Sequence, residues 1–185
     1  HLAGAMPAPL APLVELALDL RWTWSHAGDE FWKRVDPEIW DRTENPWAVL
    51  QAVAPARLAA LAADEGFLED LRRSLRDRQL ELASRTWYEL EVPGARLGAV
   101  AYFSMEFGLG AGLPLYAGGL GILAGDYLKA ASDLGVPVIG VGLLYQQGYF
   151  RQMIDRTGAQ QALFPYNDPG QLPITPLRQP NGEWL

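Results

Sequence analysis

The stretch 102–150, YFSMEFGLGAGLPLYAGGLGILAGDYLKAASDLGVPVIGVGLLYQQGYF, decides the fold. An apolar run enters a glycine-rich loop, a helical pattern follows, and a second apolar run closes the unit. Residues 98–105 and 136–144 are short and almost uninterrupted in apolar character, the pattern of parallel strands buried on both faces of an α/β sheet. Between them residues 120–134 read as a helix, which Gly135 and Pro137 stop. Gly118, Gly119 and Gly121 cluster where that helix begins. Without Cβ atoms the backbone there stays approachable, and the unpaired N–H groups of a helix start can face an anion.

Outward from this stretch the composition changes. Residues 1–97 hold 27 of the 37 charged residues and six of the seven tryptophans but only four glycines, which marks a helical first part. Leu10, Leu13, Val14, Ala17, Leu20 and Trp24 recur at helical spacing, and Asn45-Pro46 is a cap followed by a first-turn proline. Further helices are expected over 55–63 and 65–83. In the second of these Phe67, Leu71, Leu75 and Leu82 share a face opposite Arg72, Arg73, Arg76 and Arg78. The segment VPGARLG at 92–98 is the expected boundary, so a helical domain over 1–92 precedes an α/β domain over 98–185. After Tyr149 the alternation YFRQMID, the turn letters RTG and the run AQQALF predict a β-hairpin, and residues 179–182 predict a turn. Residues 1–6 read as a remnant outside the fold. The chain ends within a strand-like run, as a truncated piece would.

Composition also narrows function. With 185 residues, 49% of them hydrophobic, the chain can bury about 70% of its unfolded surface. A net charge of -7 with no basic block argues against nucleic acid or an anionic membrane as partner. No cysteine is present and there are only two histidines, so a disulfide framework or a zinc centre is not expected. The amino-terminal letters lack the n-region and apolar core of a signal peptide, and no run reaches the ~20 apolar residues of a membrane span, so a cytoplasmic protein is expected.

Three segments, YFSMEFGL at 102–109, LPLYAGGLGILAGDYLKAASDLG at 113–135 and VGLLYQQGYFRQ at 141–152, closely resemble the start of the catalytic region of bacterial α-glucan (glycogen or maltodextrin) phosphorylases. LDLRWTWSH, DPEIWDRT, NPWAVLQAV and TWYEL resemble the all-α extension that precedes that region in one bacterial branch. The resemblance implies an α plus α/β fold in which the second part begins a GT-B, Rossmann-like domain. It implies a glycosyltransferase that uses phosphate to release glucose 1-phosphate from an α-1,4-glucan, with pyridoxal phosphate as cofactor, and leaves homo-oligomerisation open. The cofactor's phosphate would act as acid/base partner, the protein supplying orientation and charge complementarity. The Schiff-base lysine lies in the carboxyl-terminal half of such enzymes and matches nothing here, so this chain alone is expected to be inactive.

Position by position, the resemblance places Gly118 and Gly119 at the glycine pair beside the substrate phosphate, Leu120 at the glucosyl subsite, Gly121 at the turn and Tyr102 near the cofactor. A donor N–H at a helix start stabilises an oxyanion without burying a lysine. The plainer reading is that the glycines serve strand-to-helix packing and Tyr102 the core. Ala117 stands where many phosphorylases carry asparagine, which removes a side-chain amide. Lys129 reads as a solvent-facing helix residue, and Asp126 and Asp133 as structural. Glu106 is the only acid between Glu91 and Asp126, but a lone carboxylate after a strand more often caps a loop or pairs with a base, and glycosidase chemistry needs a second one about 5–9 Å away. Tyr145, Gln146, Gln147 and Tyr149 follow the second strand, where α/β sheets bind ligands.

Two further functions stay open. Trp22, Trp24, Trp32, Trp40, Trp47 and Trp87 could stack on sugars in a stand-alone glucan-binding or assembly module, although their helical spacing favours core packing. A GT-B glucan synthase would also carry a GGL loop, but with lysine where Tyr116 stands. His26, beside a helix end, reads as a local contact.

Overall fold

The computed structural model describes residues 6–92, 94 and 97–183. The remnant expected at 1–6 lies outside them except for Met6, as do Pro93, Ala95 and Arg96 of the boundary segment and the strand-like end at Trp184.

The first part is a set of short helices whose starts are written by proline and short polar side chains. They are α1 (Pro12–Leu18), α2 (Asp29–Val35), α3 (Pro37–Thr43), α4 (Pro46–Ala52) and α5 (Pro55–Ala62). Proline opens four of the five, where its missing N–H costs nothing. Asp36 accepts from the Ile39 N–H at 3.1 Å, and Asn45 from those of Trp47 and Ala48 at 2.9 and 3.3 Å. The long helix α6 (Glu65–Ala83) is capped by Asp64, and α7 (Trp87–Glu91) opens with a reciprocal Thr86–Glu89 capping box. The apolar faces of α1 to α6, with Leu10 from the turn before α1, close one core in which Leu10, Leu13, Val35, Val49 and Phe67 are fully buried.

Two expectations change here. The helical spacing over residues 10–24 does not give one helix, because the Asp19 carboxylate accepts from the Arg21 N–H at 3.2 Å and restarts the chain as a 3₁₀ turn, Leu20–Thr23. On α6, Phe67 and Leu71 are buried but Leu82 is 68% exposed, since the last turns run past the core. The tryptophans divide as well: Trp32, Trp40 and Trp47 belong to the core, whereas Trp22 and Trp24 are half-buried and Trp87 is exposed.

The second part is built on a crossover. β1 (Val100–Phe103) and β2 (Val138–Val141) pair in parallel with Val100 opposite Val138, joined through α8 (Gly119–Leu134). Small residues let α8 lie close to the loop after β1, where the Gly108 N–H donates to the Gly121 carbonyl at 2.7 Å. Gly135 ends α8 in the left-handed region, φ 72°. The strands are not buried on both faces: Phe103 is 73% and Ile139 58% exposed, because two strands and one helix cannot cover a parallel sheet. The predicted hairpin is present as β3 (Arg151–Ile154) and β4 (Gln160–Leu163). In its turn Asp155 accepts from the Thr157 hydroxyl and N–H and from Gln161, bonds that hold its carboxyl far below the ordinary aspartate range. The second turn closes through the Gly182 N–H and Gln179 carbonyl at 2.8 Å.

A polar seam joins the two parts. Asp133 of α8 accepts from Arg21 at 3.1 Å and from the Trp24 indole at 3.2 Å, and Gln51 donates to the Gly170 carbonyl at 3.1 Å. No described helix is long and apolar enough to cross a membrane.

Candidate functional site

Parallel pairing brings the carboxyl ends of β1 and β2 to one edge, and the amino-terminal end of α8 reaches the same edge. Gly118 precedes α8 in extended backbone and offers no side-chain cap. The N–H groups of Gly121 and Ile122 donate back to the Gly118 carbonyl at 3.1 and 3.2 Å. That leaves the N–H groups of Gly119 and Leu120, which belong to the first-turn donors for which a helix has no internal acceptor, and neither finds one among the described residues.

The glycines of the loop separate by what surrounds them. A Cβ on Gly118 or Gly119 would meet nothing within 4 Å, so the chain's own packing does not require glycine there. A Cβ on Gly121 would strike the Tyr116 side chain and come within 3.0 Å of the Glu106 carboxylate. Gly121 is therefore a packing glycine, whereas Gly118 and Gly119 leave an open approach to the backbone. Leu120 is 54% exposed beside them.

One residue upstream the loop enters the wall of a cavity of about 200 Å³ lined by Glu106, Tyr116, Ala117, Tyr145, Gln147 and Tyr149. The second wall is fixed by backbone. Tyr145 donates its hydroxyl to the Met105 carbonyl at 3.0 Å, Asn167 donates its amide to the Tyr145 carbonyl at 3.0 Å, and the Asn167 N–H donates to the Gln146 carbonyl at 2.7 Å. Gln146 thus serves the scaffold, while Tyr145, Gln147 and Tyr149 reach the cavity. Tyr102 does not line it. Its ring packs edge-on against Phe107 and Tyr127, at 5.7 and 5.1 Å between centroids.

Glu106 neither caps a loop nor pairs with a base. The Ser104 hydroxyl donates to its backbone carbonyl at 2.7 Å, but its Oε2 is buried and without a partner among the described residues. Asn167 was not legible as a site residue, because only the fold brings residue 167 beside residue 145. Asp133 holds the seam. Lys129 is half-buried on α8, not free in solvent, and His26 makes a local contact with Asp29 at 3.0 Å.

The family described as "Protein of unknown function (DUF3417)" matches residues 6–113. The chain belongs to the DUF3417 family. That match covers the helical part, Tyr102 and Glu106, and stops before Gly118. Homology continues through the glycine loop in curated relatives. A glycogen phosphorylase of Mycobacterium tuberculosis is 44% identical over 185 positions, covering 96% of this chain and 21% of that protein. A maltodextrin phosphorylase of Thermococcus litoralis is 39% identical over 187 positions, covering 100% of the chain and 22% of that protein. A glycogen phosphorylase of Aquifex aeolicus is 36% identical over 174 positions, 94% and 24% respectively. The chain thus spans under a quarter of the length of these relatives. No solved structure is significantly similar. This DUF3417 chain is a homologue of glycogen and maltodextrin phosphorylases over nearly its whole length, in agreement with the resemblance carried by YFSMEFGL and YAGGLG.

Proposed function

We propose that this chain supplies the phosphate- and glucosyl-facing half of the active site of an α-1,4-glucan phosphorylase, a glycosyltransferase with GT-B architecture. On this reading a helical domain, residues 1–92, precedes the start of the catalytic α/β domain at residue 98. The observation that carries it is the pair of free amides at Gly119 and Leu120, opening a 16-residue helix with no side chain in their way. Substrate phosphate oxygens would accept from these N–H groups, and the helix dipole favours the same charge. Leu120 would face the glucosyl unit, and the tyrosine-walled cavity would admit the neighbouring sugar.

The described residues do not fit as a complete holder for pyridoxal phosphate. Tyr102 could form an aromatic wall, but of the two lysines in the chain Lys33 lies in the helical part and Lys129 midway along α8. Neither stands at the cavity, so the 185-residue chain by itself should not phosphorolyse glucan. Tyr116, in place of lysine, disfavours the glucan synthase reading.

The test is Gly119→Val in the complete enzyme. The substitution finds open space in this chain, so the enzyme should fold normally. Its isopropyl group would stand where phosphate must approach, and kcat/KM for phosphorolysis should fall by about 100-fold or more, the scale of losing one oxyanion donor. An unchanged kcat/KM would reject the role of the loop.

A further inference from the structure

One feature left over by this reading lies in the helical part. A cavity of about 410 Å³ opens between α1, the turns that follow it, α2 and α6, with Trp22, Phe31 and Trp32 as its apolar lining and Asp19, Arg78 and Glu81 at its polar side. Its size falls in the range of small-ligand pockets, about 300–1000 Å³.

The aromatic lining is held in place before any ligand arrives. The Trp22 indole N–H donates to the Ala17 carbonyl at 3.1 Å, which pins a ring that remains half-buried. Phe31 stacks on Phe67 at 5.1 Å and meets Trp32 edge-on at 5.6 Å. The polar side selects by charge. Arg78 is paired with Asp19 and, at 3.1 Å, with Glu81, while Arg21 is paired with Glu81 and Asp133. With Asp77 also in the wall, the lining carries three carboxylates and two guanidiniums already engaged by carboxylates. An anion would find no free positive charge. A neutral polyol would find carboxylate oxygens and guanidinium N–H groups that can each take one more hydrogen bond, beside aromatic rings for its C–H faces.

We propose that this cavity is a second carbohydrate site, which takes a short neutral α-1,4-linked oligosaccharide apart from the catalytic cleft. The choice of sugar rests on the phosphorylase reading above, whereas the cavity itself does not. The site also adjoins the seam: Arg21 bonds Asp133 of α8, and a Cβ on Gly112 would come within 2.9 Å of the Trp22 ring. An occupant touching Arg21 and Trp22 therefore touches residues that join the helical part to the helix carrying the glycine loop.

The test is titration of the 185-residue chain with maltotriose, followed by backbone-amide NMR shifts, with glucose 1-phosphate and spermidine as charged probes. Saturable shifts are expected at Trp22, Ala27, Gly28 and Ser74, with binding weakened about tenfold in Trp22→Phe, which keeps an aromatic ring but loses the indole face. Asp77→Ala, an exposed change on α6 that leaves the core untouched, should weaken binding about threefold. It serves if Trp22→Phe does not fold. No shift with maltotriose up to about 10 mM, shifts confined to Tyr145, Gln147 and Tyr149, or preference for either charged probe would each overturn the proposal. Those outcomes leave the Gly119→Val result untouched, so the two readings fail separately.

Discussion

Gly125→Ala probes how α8 is seated. A Cβ on Gly125 would overlap the carbonyl carbon and oxygen of Gly108 and come within 3.0 Å of its Cα. Both partners are backbone, so no side chain can swing aside, and α8 would have to withdraw by about 1 Å to restore an ordinary contact. Withdrawal would stretch the 2.7 Å bond from the Gly108 N–H to the Gly121 carbonyl, one turn away on the same helix face. Overpacking of this kind costs about 1–3 kcal/mol, and a weakened buried hydrogen bond a further ~1 kcal/mol. The better helix propensity of alanine returns up to about 1 kcal/mol. The net expectation is a loss of about 2–3 kcal/mol, confined to the α/β part because the helical part has its own core. Native-state hydrogen exchange at the Gly108 amide reads this directly and should accelerate about 30- to 100-fold. Gly119→Ala is the internal control, since its methyl enters open space at a helix start and should change exchange at Gly108 less than threefold. Equal behaviour of the two variants would refute the division of the glycines into packing and approach positions.

Gly135 and Gly158 both hold positive φ, 72° and 83°, but a Cβ at Gly135 would run into the Thr86 side chain whereas one at Gly158 would meet nothing. Alanine should therefore cost about 1 kcal/mol at 158 and at least twice that at 135, compared by urea denaturation. The Asp155 carboxyl titrates lower in the folded hairpin than in the unfolded chain, so its contribution is fully present above the unfolded value near 4 and fades as pH falls toward the folded value. Amide shifts of β3 and β4 should hold from pH 7 to about 4 and collapse only in stronger acid. An Asp155→Ala hairpin that is equally ordered at pH 7 would contradict this.

Much of the fold was legible because the deciding signals are local. Asn45-Pro46, the apolar spacing from Phe67 to Leu71 and Gly135 each act through the residues beside them, and α4, α6 and the end of α8 fall where those letters say. The failures are cases where one side chain or a missing neighbour outweighed a pattern. Asp19 turned its carboxylate onto the Arg21 N–H and broke a spacing that favoured one helix, and Leu82 kept helical phase with nothing to pack against.

The glycine loop was legible as an open helix start, but not in how its glycines differ. Four adjacent letters, GGLG, carry two different constraints. Gly121 lacks a Cβ because Tyr116 and Glu106 occupy its space, while nothing in the chain competes for the space beside Gly118 and Gly119. Spacing alone could not separate them, since the distinction depends on what stands opposite each Cα. Exposure repeats the lesson on a larger scale. Phe103, Ile139 and Leu143 read as interior residues, yet each is 58% or more exposed in this chain. Exposed apolar runs of this kind are surfaces suited to packing against something further, and the chain spans under a quarter of its phosphorylase relatives. Under the proposed reading the strand pattern encodes the packing of the whole catalytic domain. Under the same reading the open amides at Gly119 and Leu120 are backbone donors whose acceptor would come from outside these residues.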